Sequence, residues 1–212
     1  MKKLTLSLLS IAILATGCDD YSEGVESAEV GEAQAEETAA PASEARETLT
    51  IDTARSSVGF TGAKVSDSHA GTFGEWSGTI DLDPNEVTAS RVNITIQMAS
   101  VDIEPERLEG HLKSEDFFDV ENHPEATFTT TAIEARAGEN GATHRITGNL
   151  SLHGQTKSIS FPAKVEVKDD EVATSAEFVI KRQDFGIVYP GMPDDLINDD
   201  VVIRFDVHAP RS

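Results

Sequence analysis

The sequence has a single cysteine among its 212 residues, Cys18, so an intramolecular disulfide is excluded. Basic residues are also few. The 17 lysines and arginines are outnumbered by 38 aspartates and glutamates, which gives a net charge of -21. So acidic a chain is repelled by nucleic-acid phosphates and by anionic lipid head groups. We therefore expect no nucleic-acid partner, and any link to a membrane has to be apolar or covalent.

Motifs for catalysis or metal binding are missing as well. The six histidines show neither a His-x-His nor a His-x-x-x-His spacing, so the sequence predicts no metal site. The only thiol lies near the N terminus, and Ser151 and Ser160 lack the turn of a nucleophile elbow. No glycine-rich phosphate loop leads from a strand into a helix. We therefore expect that the protein is not an enzyme.

Long apolar runs are absent apart from one, over residues 4–14. It follows two lysines and is too short to span a bilayer comfortably, as is typical of a signal peptide. The next residues, Ala15-Thr16-Gly17-Cys18, resemble the lipobox of bacterial lipoproteins, in which cleavage leaves the cysteine first and a diacylglycerol is attached to its sulfur. The resemblance implies a signal peptide over residues 1–17 and lipid attachment at Cys18. An ordinary cleaved signal with an incidental cysteine is the alternative.

The lipobox-like stretch implies a location outside the cytoplasm. Two or three acyl chains anchor a protein stably, whereas a single chain binds only marginally. Asp19 and Asp20 follow the cysteine directly, and aspartate at this place resembles the inner-membrane retention signal of enteric lipoproteins. We therefore expect a periplasmic protein anchored by lipid to a bacterial membrane, with the inner membrane favoured.

Residues 18–47 differ in composition from the rest of the chain. They are rich in Glu, Ala, Ser, Gly and Thr and contain a single basic residue, Arg46. Low hydrophobicity with charge of one sign cannot offset the conformational entropy lost on folding. We therefore expect an acidic, disordered tether with a root-mean-square reach on the order of 30 Å.

The folded domain is predicted over residues 48–210, where apolar and polar residues alternate. The alternation is cleanest over 91–98, 145–152, 159–167 and 201–208. Short turns between the predicted strands favour antiparallel neighbours. About eight strands, each with one apolar face, predict an all-β, antiparallel up-and-down barrel that encloses side chains or one small ligand. A two-sheet sandwich fits the same periodicity and is the alternative.

The alternation stops over residues 107–118. Leu108, Leu112 and the pair Phe117-Phe118 recur at helical spacing, which predicts one short helical segment inside the β chain. Such a segment needs an apolar surface on which to pack. We expect it either to close or line the mouth of the barrel, or to plug its core.

Three segments resemble the YceI-like family, namely residues 107–128, 146–165 and 180–187. They contain His-Leu-Lys-Ser-Glu-Asp-Phe-Phe-Asp-Val, Ile-Thr-Gly-Asn-Leu-Ser-Leu-His-Gly-Gln-Thr-Lys and Ile-Lys-Arg-Gln-Asp-Phe-Gly-Ile, in the order of the family. The resemblance covers residues 49–210. It implies a lipocalin-like barrel outside the cytoplasm, whose apolar pore binds polyisoprenoid lipids such as isoprenoid quinones.

The resemblance makes the apolar strand faces the wall of a lipid-binding pore. Arg182 and Tyr189 are the candidates for a hydrogen bond to the lipid head group, and a structural pair of Arg182 with Asp184 is the alternative. Apart from the bound isoprenoid lipid we expect no cofactor. The residues expected in the pore wall are Val58, Phe60, Trp76, Ile80, Ile94, Ile96, Phe117, Phe118, Phe128, Ile146, Leu150, Phe161, Phe178, Ile203 and Phe205.

The expected function is that of a membrane-anchored extracytoplasmic protein that binds or carries a long, quinone-like isoprenoid lipid inside the barrel. The same apolar residues are equally expected in a barrel filled by its own side chains. In that alternative the protein is a non-enzymatic interaction module, and its solid barrel docks a protein partner at the membrane.

Overall fold

The computed structural model describes residues 21–35 and 46–211. The predicted signal peptide, Cys18 and residues 36–45 of the predicted tether lie outside the described residues. One short α-helix, α1 (Glu106–Lys113), interrupts a chain of strands. The strands are β1 (Glu29–Glu32), β2 (Glu47–Thr50), β3 (Ser57–Lys64), β4 (Asp67–Phe73), β5 (Trp76–Leu82), β6 (Arg91–Gln97), β7 (Val101–Ile103), β8 (Glu125–Ala135), β9 (His144–Leu152), β10 (Gln155–Val167), β11 (Glu171–Lys181), β12 (Gly191–Met192) and β13 (Asp195–Pro210).

The strands β4 to β7 form one long, bent hairpin. β4 continues into β5 across Gly74 and Glu75, and β6 continues into β7 through residues 98–100. The Gly74 N–H donates to the Ser100 carbonyl at 3.0 Å, and the Gln97 N–H donates to the Glu75 carbonyl at 2.9 Å. Backbone hydrogen bonding therefore continues through the bend, and one half of the hairpin pairs with β3 while the other half pairs with β8.

Counting each bent strand once, eight strands form a ring. Its order is β3, β4/β5, β6/β7, β8, β9, β10, β11 and β13, and β13 pairs with β3 to close it. All of these pairings are antiparallel. The ring confirms the predicted all-β, up-and-down barrel and its single helical segment near residues 107–118. A sandwich is wrong because the sheet curls back onto its own first strand.

The strand β2 closes one end of the barrel. It pairs with β5, and the Asp52 N–H beyond it donates to the His208 carbonyl of β13 at 2.9 Å. Leu49 and Ile51 thereby enter the interior, where each buried side chain of this size contributes about 1.5–3 kcal/mol. The buried cluster at this end, which we call the closed end, consists of Leu49, Ile51, Ile80, Leu82, Val172, Val207 and Ala209.

The strand β1 corrects the prediction of a disordered tether for residues 21–35. β10 pairs with β11 only over residues 164–167, and nearer the other end of the barrel the two strands are separated. β1 fills this gap: it pairs antiparallel with β10, and the Ala28 N–H donates to the Val179 carbonyl of β11 at 2.8 Å. Ala28 and Val30 pack against the core. Pairing of backbone groups that would otherwise be unsatisfied orders a segment whose composition is poor in apolar residues.

The helix α1 covers the other end of the barrel. Leu108 and Leu112 lie on its inner face, as their i, i+4 spacing requires, and belong to one apolar cluster with side chains of β3, β4 and β7. The buried residues of this cluster are Val101, Ile103, Leu112, Phe117 and Ile187. The helical segment therefore lies at the end of the barrel opposite β2, and we call this end the mouth.

Candidate functional site

A cavity of about 330 Å³ lies inside the barrel. Along β13 its lining residues run from Ile197 near the mouth to Val207 at the closed end, so one cavity follows most of the length of the barrel. The volume falls at the lower end of the range for small-molecule sites. The interior is therefore hollow, which separates this barrel from one filled by its own side chains.

The wall of the cavity is made mainly of apolar side chains. Deep in the wall, the hydroxyl oxygens of Ser90 and Thr130 accept hydrogen bonds from the backbone N–H groups of Asp83 and Val92, both at 2.9 Å. Backbone groups thus already engage these two hydroxyl oxygens. Such a wall favours an apolar ligand over a polar one.

Of the wall residues predicted from the sequence, all but Trp76 line the cavity. Trp76 instead packs against the cluster at the closed end. Trp76 lies opposite Ile96 in the ladder, on the inward face of β5, so the alternation predicts its face correctly. Its packing against that cluster, and not its phase, keeps it out of the cavity wall. The predicted residues that line the cavity are Val58, Phe60, Ile80, Ile94, Ile96, Phe117, Phe118, Phe128, Ile146, Leu150, Phe161, Phe178, Ile203 and Phe205.

Aromatic rings line the cavity at two levels. In the middle of the barrel, Phe161 stacks on Phe178 with ring centroids 4.1 Å apart and meets Phe205 edge-on at 5.9 Å. Nearer the mouth, the ring of Phe60 lies 5.6 Å from that of Phe73 and 6.1 Å from that of Phe118. Ring pairs of this kind contribute about 0.5–1.5 kcal/mol beyond the burial of their area, so they stabilise the packing of the wall.

The glycine at position 62 leaves room in the wall. Gly62 lies in β3 opposite Val201, in phase with the inward-facing Val58 and Phe60. A Cβ atom built on Gly62 has no heavy atom within 4 Å, whereas one built on Gly59 would lie 2.8 Å from the Gly71 carbonyl oxygen. Gly62 therefore borders open cavity space.

Arg182 lines the cavity with only 5% of its surface exposed. Its guanidinium donates to the carbonyl oxygens of Ile187 at 2.7 Å, Asn198 at 2.9 Å and Ile197 at 3.2 Å. Burial lowers the pKa of this guanidinium from its ordinary value, and the Asp199 carboxylate offsets part of that effect. These bonds go to one carbonyl group in the loop before β12 and to two at the start of β13, so the alternative of an Arg182–Asp184 pair does not describe how the side chain is held.

Tyr189, the second head-group candidate, is not among the residues that line the cavity. Its ring packs over the mouth, 5.1 Å from the ring of His111 and 5.5 Å from that of Phe117. Of the two head-group candidates, the structure therefore brings Arg182 to the cavity wall and leaves Tyr189 above it.

Large exposed apolar side chains are concentrated at the mouth, in what we call the apolar rim. Val65 lies in the β3–β4 turn, and its N–H donates to the Leu196 carbonyl at 3.0 Å. Val188 lies in the loop before β12, Met192 in β12 itself, and Leu196 at the start of β13. The exposed fractions are 73% for Val65, 65% for Val188, 62% for Met192 and 49% for Leu196.

Lys64 and Asp195 join the two parts of the apolar rim. Their side chains form an ion pair, and the Ser66 N–H donates to the same carboxylate at 3.1 Å. The hydrogen bond from Lys64 holds the pKa of Asp195 below its ordinary value of 3.8. A depressed carboxylate pKa stabilises the fold above the ordinary value, and this contribution is lost as the pH falls through the depressed one. The pair therefore persists at neutral pH.

Polar residues that the sequence did not indicate also line the cavity at the mouth. His69 of β4 lies opposite Gly62 and lines the cavity, as do Lys64 and Asn198. The inward phase of Lys64 and His69 could be read from the alternation of β3 and β4, whereas Asn198 lies where the pairing of β13 with β3 shifts in register. Outside the cavity, Asp119, His123 and His153 come together.

A family model for the YceI-like domain matches residues 49–209, which is well over half of the sequence. The chain belongs to the YceI-like family. This confirms the resemblance seen in the sequence.

None of the helices in the described residues is long and apolar enough to cross a bilayer.

Relatives of this YceI-like chain come from several bacteria. A UPF0312 protein of Pectobacterium atrosepticum is 37% identical over 123 residues, which are 55% of this chain and 62% of the relative. A UPF0312 protein of Pseudomonas syringae pv. tomato is 36% identical over 140 residues, 63% of this chain and 71% of the relative. The chain thus spans less than two thirds of the length of the first of these relatives.

Solved structures share the YceI-like barrel. BcnA of Burkholderia cenocepacia has a TM-score of 0.65 at 25% identity, over 75% of this chain and 99% of BcnA. The Campylobacter jejuni YceI protein has a TM-score of 0.57 at 27% identity, over 67% of this chain and 84% of that protein. A polyisoprenoid binding domain from Saccharophagus degradans has a TM-score of 0.61 at 15% identity, over 77% of this chain and 98% of that domain, a likeness of fold alone.

Proposed function

We propose that this protein binds a long, apolar lipid of the isoprenoid type, such as a quinone, inside its barrel at the extracytoplasmic face of a bacterial membrane. The observation that carries the proposal is the apolar cavity of about 330 Å³ that follows the barrel axis. Burial of apolar groups contributes about 0.8 kcal/mol per methylene, so one five-carbon unit contributes roughly 3–4 kcal/mol before ordering costs. A fold shared with a polyisoprenoid binding domain supports this class of ligand.

The head group of the lipid is proposed to lie at the mouth, beside Arg182. A guanidinium carries five N–H donors. Three of its hydrogen bonds go to the carbonyls of Ile187, Ile197 and Asn198. Donor capacity therefore remains on a rigidly held cation in the cavity wall, and a quinone carbonyl or another oxygen acceptor is the matching partner.

The mouth is proposed to face the membrane. The apolar rim lies at this end, and apolar side chains exposed together are suited to contact with a lipid surface. The Tyr21 hydroxyl donates to the Asp200 carbonyl, a few residues along β13 from Ile197 at the mouth. Three residues span at most about 10 Å. If Cys18 carries the lipid anchor, the mouth is therefore held against the bilayer, much closer than a 30-residue tether would allow.

Extraction of the purified protein tests the ligand. Full-length protein is isolated from its native membrane with its anchor intact. Native mass spectrometry then gives the mass bound per chain, and mass spectrometry of the organic extract identifies the lipid. We expect one long isoprenoid lipid per chain. An extract empty of long-chain lipid, together with one dominant crosslinked protein, would instead support the interaction module with a protein partner.

Substitution of the apolar rim tests the orientation. In a Cys18→Ser background, the double variant Val188→Ser and Met192→Ser is expected to take up lipid from zwitterionic vesicles at least tenfold more slowly, because about 1.4 kcal/mol of lost membrane contact corresponds to a factor of ten. Affinity for lipid presented in detergent should not change. Ala137→Ser, an exposed substitution in the β8–β9 turn at the closed end, is the control. If the Cys18→Ser protein, the double variant and the Ala137→Ser control took up lipid at equal rates, the proposed orientation would be wrong, while the proposal of lipid binding would still stand.

A further inference from the structure

A cluster of three potential metal ligands lies outside the cavity, at the mouth end of the barrel. Asp119 and His123 belong to the loop between α1 and β8, and His153 lies in the turn between β9 and β10. One ligand atom from each residue lies within 4.8 Å of the other two. From this geometry we infer that Asp119, His123 and His153 bind a divalent transition-metal ion, with Zn²⁺ as the ion that suits them best.

The side chains of the cluster are oriented by neighbouring groups. Nδ1 of His153 lies 3.2 Å from the Phe185 carbonyl oxygen, and only a protonated nitrogen can donate to a carbonyl. The lone pair of His153 is therefore on Nε2, which is the form that binds metal. The Asn122 side-chain amide donates to both carboxylate oxygens of Asp119 at 3.0 Å. Hydrogen bonds of this kind orient metal ligands in known sites and raise the affinity of the site for its metal.

The backbone beneath the cluster is in an unusual conformation. Asp119 has φ of 47° and His153 has φ of 50°, in the left-handed region that non-glycine residues seldom adopt. Gly154 next to His153 has φ of 72°, and a Cβ atom on it would lie 2.7 Å from Cε1 of His123. Glycine at this position thus allows the two histidine rings to approach, with centroids 5.1 Å apart. The two residues with positive φ, Asp119 and His153, and the close contact between the rings of His123 and His153 therefore all occur within this one cluster.

The donor set determines the class of ion. Two imidazoles and one carboxylate favour Zn²⁺ and similar ions over Mg²⁺ or Ca²⁺, which prefer oxygen ligands. Zn²⁺ bonds to nitrogen and oxygen measure about 2.0–2.2 Å, so tetrahedral ligands lie roughly 3.5 Å apart. Oδ2 of Asp119 and Nε2 of His123 are already within 4.0 Å. A shift of about an ångström completes three ligands, and water can occupy the fourth position.

Metal binding here would join three segments of the mouth. The loop after α1 supplies two ligands, the β9–β10 turn supplies the third, and Phe185 in the segment after β11 orients that third ligand. Because these segments surround the entrance to the cavity, a bound ion would restrain the mouth. This role does not depend on which lipid the cavity holds.

Isothermal titration of the metal-free, full-length protein with ZnCl₂ tests the site. We expect one ion per chain and a higher Tm in the presence of Zn²⁺, since a ligand that binds only the folded state stabilises it.

Replacement of Zn²⁺ by Co²⁺ should give the absorption bands of a four- or five-coordinate site without a thiolate band. His153→Ala should weaken binding roughly 100-fold, because loss of a ligand exceeds the 10–100-fold effect of losing its orienting partner. His123→Gln should weaken Zn²⁺ binding to a similar extent, and it replaces His153→Ala in the test if that variant does not fold.

A second histidine–aspartate pair provides the control. Nε2 of His111 lies 3.1 Å from Oδ2 of Asp116 in the segment next to the cluster, and among residues 21–35 and 46–211 no third ligand joins this pair. His111→Ala should leave the affinity and stoichiometry for Zn²⁺ unchanged. Absence of saturable Zn²⁺ binding by the unsubstituted protein, or equal losses in His111→Ala and His153→Ala, would overturn the proposal.

Discussion

The Gly62→Phe variant should fold normally and carry no lipid. Gly62 faces the cavity, and a Cβ at this position meets no atom within 4 Å, so the new ring extends into the space that the ligand would occupy. A phenylalanine buried in empty apolar space contributes about 1.5–3 kcal/mol. It also suits a strand better than glycine does. Lipid content measured by native mass spectrometry should fall from one per chain to nearly none, while the free energy of unfolding stays equal or rises.

A control for Gly62→Phe makes the same substitution outside the cavity. Gly110 lies on the exposed face of α1, and its Cβ position is equally free of neighbours. Gly110→Phe should keep one lipid per chain. If Gly62→Phe retained full lipid content with an intact fold, the ligand would lie somewhere other than the barrel cavity, and the proposed function would lose its physical basis.

The Arg182→Met variant should lose about 3–5 kcal/mol of stability. Its three carbonyl partners, in Ile187, Ile197 and Asn198, would be left in a mostly buried site without their donor, and hydrogen bonds to a charged group contribute about 1.5–3 kcal/mol each. Relief from burying the charge offsets part of this loss. Methionine keeps the length and apolar stem of the side chain, so the effect reports the lost hydrogen bonds rather than a cavity.

Urea unfolding followed by the fluorescence of Trp76, the only tryptophan, measures this difference. The adjacent Lys181→Met is the control, because Lys181 forms an exposed ion pair with Asp200 at 2.8 Å. Exposed pairs contribute at most about 1 kcal/mol. If Arg182→Met destabilised the protein no more than Lys181→Met does, the guanidinium would not be what holds the loop at the mouth.

The wall of the cavity could be predicted from the sequence because a strand exposes alternate residues to opposite faces. Once the faces of β6, β9, β10 and β13 were known, residues such as Ile94, Ile146 and Phe161 had to point inward together. Trp76 also has the inward phase, opposite Ile96, but it packs against the cluster at the closed end instead of lining the cavity. Periodicity therefore predicts the face on which a residue lies, and not whether free space lies in front of it.

The polar groups could not be predicted in the same way. The partners of Arg182 are carbonyl groups of the loop before β12 and of the start of β13, whereas the sequence offered Asp184 as the obvious candidate. His153 is separated from Asp119 and His123 by two strands, and spacing along the chain cannot show that the β9–β10 turn folds over the loop after α1. Such contacts depend on three-dimensional position, which no local pattern encodes.

The all-β class, the up-and-down order, the single helix and the family could be predicted without coordinates, because alternation, short turns and ordered motifs are local features. The three-dimensional structure was needed to decide that the barrel is hollow, since filled and empty barrels have the same alternating pattern. It also decided that residues 21–35 join the wall, because the gap they fill arises where β10 and β11 separate. Hydrogen-bond partners and free volume are properties of the assembled barrel, and both arise only when strands distant in sequence meet.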